Sequence, residues 1–552
     1  MSDTEHAVHA LIRENGFGPF EHNGREILRR LFVTVRDEAW QETPPKSWIS
    51  IIDESAHTIR VEARHTTDQL DVEWQGVLTV DNDGLSGRFD LEAMARRTLR
   101  VCRLGLVVLH PVDFMVSAKL TAEGPEGSRS LTISRRIAPQ PIVRGVPGAM
   151  TPSFSRLLIE RDGVGRLALE FEGDLFELED QRNWGDGSFK TYCTPLRLGF
   201  PRTIDAGTRI VQRLRWRFTP APSPKLTRDR PELIAISGIV PSIGHEWSKG
   251  PMAAWDHVAI DLRSSERLLS LPHRLDFGSH QKLEIAVSDD LPLSVLEQVC
   301  VWIAAQPARV GRLLIYSTVR SLPEGEGIAR WRHELTKVNA GHVPMLAASQ
   351  GYFVEFNRAD WKLESVVDGI AFPHTATVHS DDPATIIENV ATIRDMAEAA
   401  RALTPRAILG LAPLALYYPC MQRSRTFPLG LTDAWLAANL LWAAAAGISA
   451  VTLDENLAQA LSVARFGAVL PWTGSRMTLY VDETRPTLHL AHLIRGDAQR
   501  WLAVNLDARP VALQAARLPK SADPVVQEGH RALTREADPS VAPQGVRWFD
   551  GH

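Results

Sequence analysis

The stretch Arg209-Ile210-Val211-Gln212-Arg213-Leu214-Arg215-Trp216-Arg217-Phe218-Thr219-Pro220-Ala221-Pro222-Ser223-Pro224 decides the fold. Its first ten residues carry the alternation of a strand with one buried face. Its last six are rich in proline and form a stiff linker. Upstream, strand-like runs at 31–35, 58–63, 87–91, 129–133 and 166–172 are β-branched or alternating, with polar turns such as Asp81-Asn82-Asp83-Gly84 between them. That pattern predicts an N-terminal β-sandwich. Downstream, short apolar strands alternate with amphipathic helices. Strand candidates lie at 233–237, 274–278, 283–287, 312–316, 344–348, 367–372, 407–411 and 448–453.

Eight strands with helical crossovers predict a (β/α)8 TIM-like barrel. The second crossover is too short for a helix, so that side of the barrel is expected to be irregular. A helix beginning at Asp382-Pro383 has an N-cap followed by proline and aligns Ile386, Ile387, Val390, Ile393, Met396 and Ala400 on one face. Two further helices are expected at 293–305 and 433–446. From Ala498 strands return at 500–506 and 510–513, which predicts a small C-terminal β domain, and the polar tail after Gly529 is expected to be loosely held. The expected domains are 1–225, 226–497 and 498–552.

The chain has 552 residues, more than one hydrophobic core accommodates. Hydrophobic content is 44% and charged content 23%, ordinary for a globular protein. A net charge of −5 gives no electrostatic footprint for nucleic acid. Cys102, Cys193, Cys300 and Cys420 are far apart and form no CxxC pair. The N-terminus lacks the basic-then-apolar order of a signal peptide, so a cytoplasmic location is expected. The uncharged run 434–453 is long enough to raise a membrane span. It reads instead as a buried helix and strand, because it contains Asn439, Ser449 and Thr452 and places Gly447 as a helix C-cap. No GxSxG elbow, P-loop or GxGxxG motif is present, so an α/β-hydrolase serine and a nucleotide cofactor are not implied, and no cofactor is expected.

The string FELEDQRNWGDGSFKTY at 176–192 is the densest in chemistry. Asp180, Arg182, Asn183, Asp186 and Lys190 surround Trp184, with Gly185 and Gly187 as hinges. Carboxylates and amides take hydroxyls, an aromatic face takes the C–H side of a sugar ring, and cations take oxyanions. The alternative is a buried ion-pair network that pins a loop. In the barrel, Glu355 follows the fifth strand in Glu355-Phe356-Asn357-Arg358, and Glu455 follows the eighth. Two carboxylates facing one pocket can act as general acid and base, and the same pair would suit glycoside cleavage. Equally, Glu355 could pair with Arg358, and Glu455 could cap a strand. His374 and His379 end the sixth strand, where a histidine can move protons or serve structurally. His374, His379 and His245 match no zinc spacing, so no metal site is expected.

These strings carry a resemblance. Glu179-Asp180-Gln181-Arg182-Asn183-Trp184 with Ser188-Phe189-Lys190-Thr191-Tyr192, and Arg103-Leu104-Gly105-Leu106-Val107-Val108-Leu109-His110-Pro111, resemble segments of the D-apionate lactonase family, sugar-acid lactone hydrolases of bacterial apiose catabolism. The resemblance implies an N-terminal β domain, a TIM barrel and a C-terminal β domain. It also matches Glu355-Phe356-Asn357-Arg358, Glu455 and His379 to family positions. It departs at His374-Thr375-Ala376-Thr377, at 346–350 and at 417–425, segments that shape the barrel mouth.

The expected function is therefore a hydrolase opening a sugar-acid lactone, D-apionolactone or a related aldonolactone. Glu355, Glu455 and His379 are its candidate catalytic groups. Asp180, Arg182, Asn183, Trp184, Asp186, Lys190, Asn357, Arg358 and His374 are candidate binding groups. The rivals are a glycoside-hydrolase-like enzyme using the two glutamates and a degenerate sugar-acid-binding barrel. A small-molecule lactone is the only partner expected, with neither nucleic acid nor membrane, and the oligomeric state is open.

Overall fold

The computed structural model describes residues 8–13, 15–222, 233–246, 255–264, 266–267, 281–359, 366–380, 382–404, 408–416, 429–460, 472–481, 487–513, 540–542 and 544–550. The chain divides into two compact units, Met1–Gln181 with Gly187–Asp229, and Arg182–Asp186 with Arg230–His552.

The first unit is a β-sandwich. Its nine-stranded antiparallel sheet runs in the order Gly127–Thr132, Lys119–Gly124, Arg156–Arg161, Gly165–Glu172, Arg209–Pro220, Ser86–Ala95, Asp71–Val80, Thr58–Thr66, Ser47–Asp53. Asp71–Val80 shows why these runs are strands: every second residue is buried, as a sheet with one wet face requires. A second, seven-stranded sheet is built around Leu99–Pro111, which pairs antiparallel with Arg30–Asp37, Ser188–Tyr192 and Arg202–Ile204. Phe89, Trp74, Leu214 and Trp216 from the first sheet share one core with Leu31, Val35, Leu106 and Phe189 from the second. From Val101 onward the central strand is buried on both faces. Its far face carries Arg103, which ion-pairs with Glu177 at 2.6 Å and lies 3.8 Å from the Tyr192 ring.

The second unit contains a closed barrel of eight parallel strands: Ser242–Glu246, His257–Asp261, Lys282–Ser288, Val310–Tyr316, Met345–Ala348, Gly369–Thr375, Ile408–Ala415 and Ala450–Leu453. The last six coincide with expected strands. The first two do not. Ile234–Ile239, expected to open the barrel, pairs antiparallel with Arg476–Val481 in a separate five-stranded sheet with Leu488–Arg495, Ala498–Asn505 and Gly545–Asp550. Its half-buried and exposed positions alternate, whereas strands covered on both faces read as continuous apolar runs. The expected strand at 274–278 lies outside the described residues, as do most of the tail after Gly529 and the end of the proline-rich linker.

The helix expected from Asp382 is two helices, Pro383–Asn389 and Thr392–Leu403. The Asp382 carboxylate caps the first by accepting from the Thr385 N–H at 3.2 Å. Helix Leu429–Ala445 explains the uncharged run. It packs on both a barrel-side helix and the five-stranded sheet, so Trp435, Leu436, Leu440 and Trp442 are all buried. A helix buried all round is apolar all round. Gly447 ends it at φ 66°. Among the described residues no helix is long and apolar enough to cross a membrane.

Inside the barrel the residues near the strand starts are polar. Ser242 and Thr452 flank the His257 ring at 2.8 and 3.0 Å, Thr452 donates to Glu284 at 2.6 Å, and Glu284 pairs with Arg312. Above them Leu314, Tyr316, Leu346, Ala348, Ala371 and Ala412 form an apolar layer. The polar layer belongs to the end of a barrel that carries stability, and chemistry belongs at the other end.

Candidate active site

The segment Arg182–Asp186 belongs to the barrel unit, and each of its residues is tied to groups that lie at the end of the sixth strand or follow the fifth and sixth strands. Arg182 and Asp395 form an ion pair at 2.8 Å, with side chains 1% and 5% exposed. So complete a burial is tolerable only for a paired, hydrogen-bonded charge. Asn357 donates its amide N–H to Asn183 Oδ1 at 2.8 Å. The Trp184 ring meets Tyr352 edge-on at 5.2 Å and His379 at 5.9 Å. Gly185 turns the chain at φ 93°, and a Cβ there would stand 3.2 Å from His374 Nδ1. The positive φ, with that tight approach, favours glycine.

Asp186 is the centre of the group. Its Oδ2 makes a short bond to Nδ1 of His379, and its Oδ1 accepts from the Asn389 amide at 3.3 Å. Asn389 also donates to the Ala376 carbonyl at 3.2 Å, which fixes the turn after the sixth strand. The His379 side chain keeps 18% of its surface exposed. His374 is buried, and burial lowers its pKa to about 4, against an opposing pull from Asp186. Around Asp186, one histidine is thus sealed and neutral and the other reaches the surface.

The two glutamates part company. Glu355 lies in the short helix Phe353–Arg358 and is held by Arg358, with one contact at 3.2 Å. Glu455 starts helix Glu455–Ala460 and is exposed. Its charge acts on His245 and Glu246 at the end of the first strand. Glu246 was not expected as a site residue. Its pKa is raised, first by burial and then by the nearby carboxylate of Asp454. The mouth therefore carries carboxylates in two places.

Asp180 and Lys190 belong to the first unit. Asp180 accepts from the Ala138 N–H at 3.3 Å, and the Lys190 ammonium lies 5.4 Å from the Tyr192 ring. Both are buried. Sequence reasoning missed Asn389 and Asp395. With Thr392 they form a buried polar line at i, i+3, i+6, beside the apolar stripe that was recognised. That spacing is the signal that marks them. Among the described residues no group of three His, Cys, Asp or Glu side chains is arranged to hold a metal ion. Cys102, Cys193 and Cys300 are buried free thiols. Cys420 and the loop at 417–425 lie outside the described residues.

Comparison with known proteins bears on the whole arrangement. Residues 5–221 match the family model for the D-apionate lactonase N-terminal domain, and residues 266–419 match that for the D-apionate lactonase TIM barrel domain. A D-apionate lactonase of Brucella anthropi is 28% identical over 210 residues, 37% of this chain and 32% of that protein. The chain thus matches about a third of the length of that curated relative. Among solved structures, a glucosidase from Croceicoccus marinus aligns at 12% identity and TM-score 0.35, over 49% of this chain and 76% of that one. A β-arabinopyranosidase aligns at 9% and 0.28, over 91% and 89%. A GH36 α-galactosidase from Geobacillus stearothermophilus aligns at 11% and 0.25, over 85% and 80%. The two family models match consecutive domains in the family's order and together take in more than half of the sequence, so this chain belongs to the D-apionate lactonase family.

Proposed function

We propose that the chain hydrolyses a sugar-acid lactone, D-apionolactone or a related aldonolactone, with His379 as the group that activates water. The observation that carries this reading is the Asp186–His379 pair. A carboxylate on Nδ1 selects the tautomer whose Nε2 holds the lone pair, and it stabilises the imidazolium once a proton is taken up. Water attacks the lactone carbonyl carbon and gives its proton to His379. A C–O bond forms, and the carbonyl π pair moves to oxygen. Collapse of the tetrahedral adduct breaks the ring C–O bond. The departing alkoxide takes the proton back from His379, and the new carboxylic acid releases one proton to solvent.

The other groups have supporting parts. Arg358, held by Glu355, is the candidate cation for an oxyanion or substrate carboxylate. Trp184 is half-buried and is the candidate aromatic surface for a hydroxylated ring, while the buried Asn183–Asn357 hydrogen bond holds it in place. Glu455 is the candidate for a second proton transfer, with Glu246 as its neighbour. Arg182 anchors the segment through Asp395. The buried free thiols fit a cytoplasmic, reducing location.

A panel of five-membered sugar lactones tests the reading, with proton release at neutral pH followed against the spontaneous rate. Enzyme-dependent release on at least one lactone is expected. No release on any lactone, together with reducing sugar from a glycoside panel, would transfer the site to glycoside cleavage. Binding of sugar acids with no turnover of either class would leave a non-catalytic barrel.

A further inference from the structure

Ser47–Asp53 is the last strand of the nine-stranded sheet. It pairs with Thr58–Thr66 on one side, and among the described residues nothing pairs with its other side. Natural edge strands are blunted by proline, bulges or inward charges. This one has no proline, its seven-residue register is unbroken, and its interior carries no charge. Its apolar side chains are open: Ile49 is 59% exposed, Ile51 65% and Ile52 39%. Trp48 packs on Phe17 and Trp74 at 6.0 and 5.5 Å, which holds the strand in place on the sandwich.

The unused edge has a defined hydrogen-bonding phase. The Lys46 N–H donates inward to the Arg64 carbonyl at 2.8 Å, and the Glu54 carbonyl accepts from the His57 N–H at 3.2 Å. Even-numbered residues thus direct their backbone groups into the sheet. Ser47, Ile49, Ile51 and Asp53 direct theirs outward.

We propose that this edge pairs with the same strand of a second copy of the chain, antiparallel about a two-fold axis at Ser50. A two-fold interface must be complementary to itself, and this strand is. With the axis at Ser50, Ile49 faces Ile51, Trp48 faces Ile52, and Lys46 faces Glu54 on both ends. Moving the axis to Ile49 sets Lys46 against Ile52. Moving it to Ile51 sets Trp48 against Glu54 and Ile49 against Asp53. Only the Ser50 axis matches apolar with apolar and cation with anion. Such opposed pairs are the stabilising unit of a sheet.

Sedimentation of the full chain over a wide range of loading concentration tests this. A concentration-dependent dimer is expected. Lys46→Glu should weaken it roughly tenfold or more, because two attractive pairs become repulsive. The double variant Lys46→Glu with Glu54→Lys should restore it, and Ile51→Lys should abolish it. A chain that stays monomeric throughout overturns the proposal. So does a dimer indifferent to Ile51→Lys, and failure of the double variant to restore association overturns the register. None of these readouts depends on catalysis.

Discussion

At Asp186 one carboxylate serves three neighbours: His379 through Oδ2, Asn389 through Oδ1, and His374 through its field. An amide in its place would keep the shape but lose the charge that stabilises imidazolium. Asp186→Asn is predicted to lower kcat by roughly 100-fold or more. Its melting temperature should stay within a few degrees of the parent, because Asn389 retains the Ala376 carbonyl. Equal losses of activity and stability would make the residue structural. The Asp186 string was legible in sequence as an unusual density of unlike polar groups. Its partners were not, because His379 and Asn389 lie about two hundred positions away and no local pattern points across that distance. Glu355 shows the converse. Its salt bridge to Arg358 was legible as an i, i+3 alternative, and that pairing is the one observed.

At the scale of elements, Pro383–Asn389 and Thr392–Leu403 do two jobs. Their apolar stripe is largely buried, and two residues of the adjoining polar line, Asn389 and Asp395, grip Asp186 and Arg182. Removing one partner of the buried Arg182–Asp395 pair leaves an uncompensated charge, at a cost of about 3–5 kcal/mol. Arg182→Met is therefore predicted to unfold at markedly lower temperature. Arg182→Met with Asp395→Leu should recover most of the loss in thermal denaturation. If the double variant melts as early as the single one, the pair is not the source of the stability. The stripe was readable from its period, but the break at Val390–Ala391 was not, since the apolar residues keep helical spacing through it. The first barrel strands were missed for a related reason. His257-Val258-Ala259-Ile260-Asp261 is short and ends in polar residues, because its His257 and Asp261 ends serve the barrel's polar layer and its mouth, while Ile234–Ile239 offers a cleaner alternation but belongs to another sheet.

For the whole molecule, four buried histidines dominate the response to acid. Burial lowers the pKa of His110, His257 and His489 to about 3 and of His374 to about 4, from 6.5. Below 6.5 the unfolded chain takes up protons that the folded chain refuses, so stability present above that pH is lost as it falls toward 3–4. Asp113 acts the other way. Burial raises its pKa to about 6 from 3.8, so it favours the folded state as pH falls through that window. Burial also raises the pKa of Glu177 and Glu246, which act with Asp113, whereas burial lowers that of His22, His65 and His245, which act with the four histidines. The melting temperature is predicted to decline from pH 7.5 to pH 5, and an increase over that range would contradict the balance.

The broad architecture was legible because it rests on period: two for the sandwich, alternating strand and helix for the barrel. The assignment of chemistry rests instead on side chains brought together from distant positions. The central claim is that His379, oriented by Asp186, activates the water that opens a lactone. Its most direct test is kcat for His379→Ala on a lactone turned over by the parent, with a melting curve of the same sample. The account predicts a fall in kcat of roughly 100-fold or more with the fold intact. A folded His379→Ala protein that turns over the lactone at the parent's rate would contradict it.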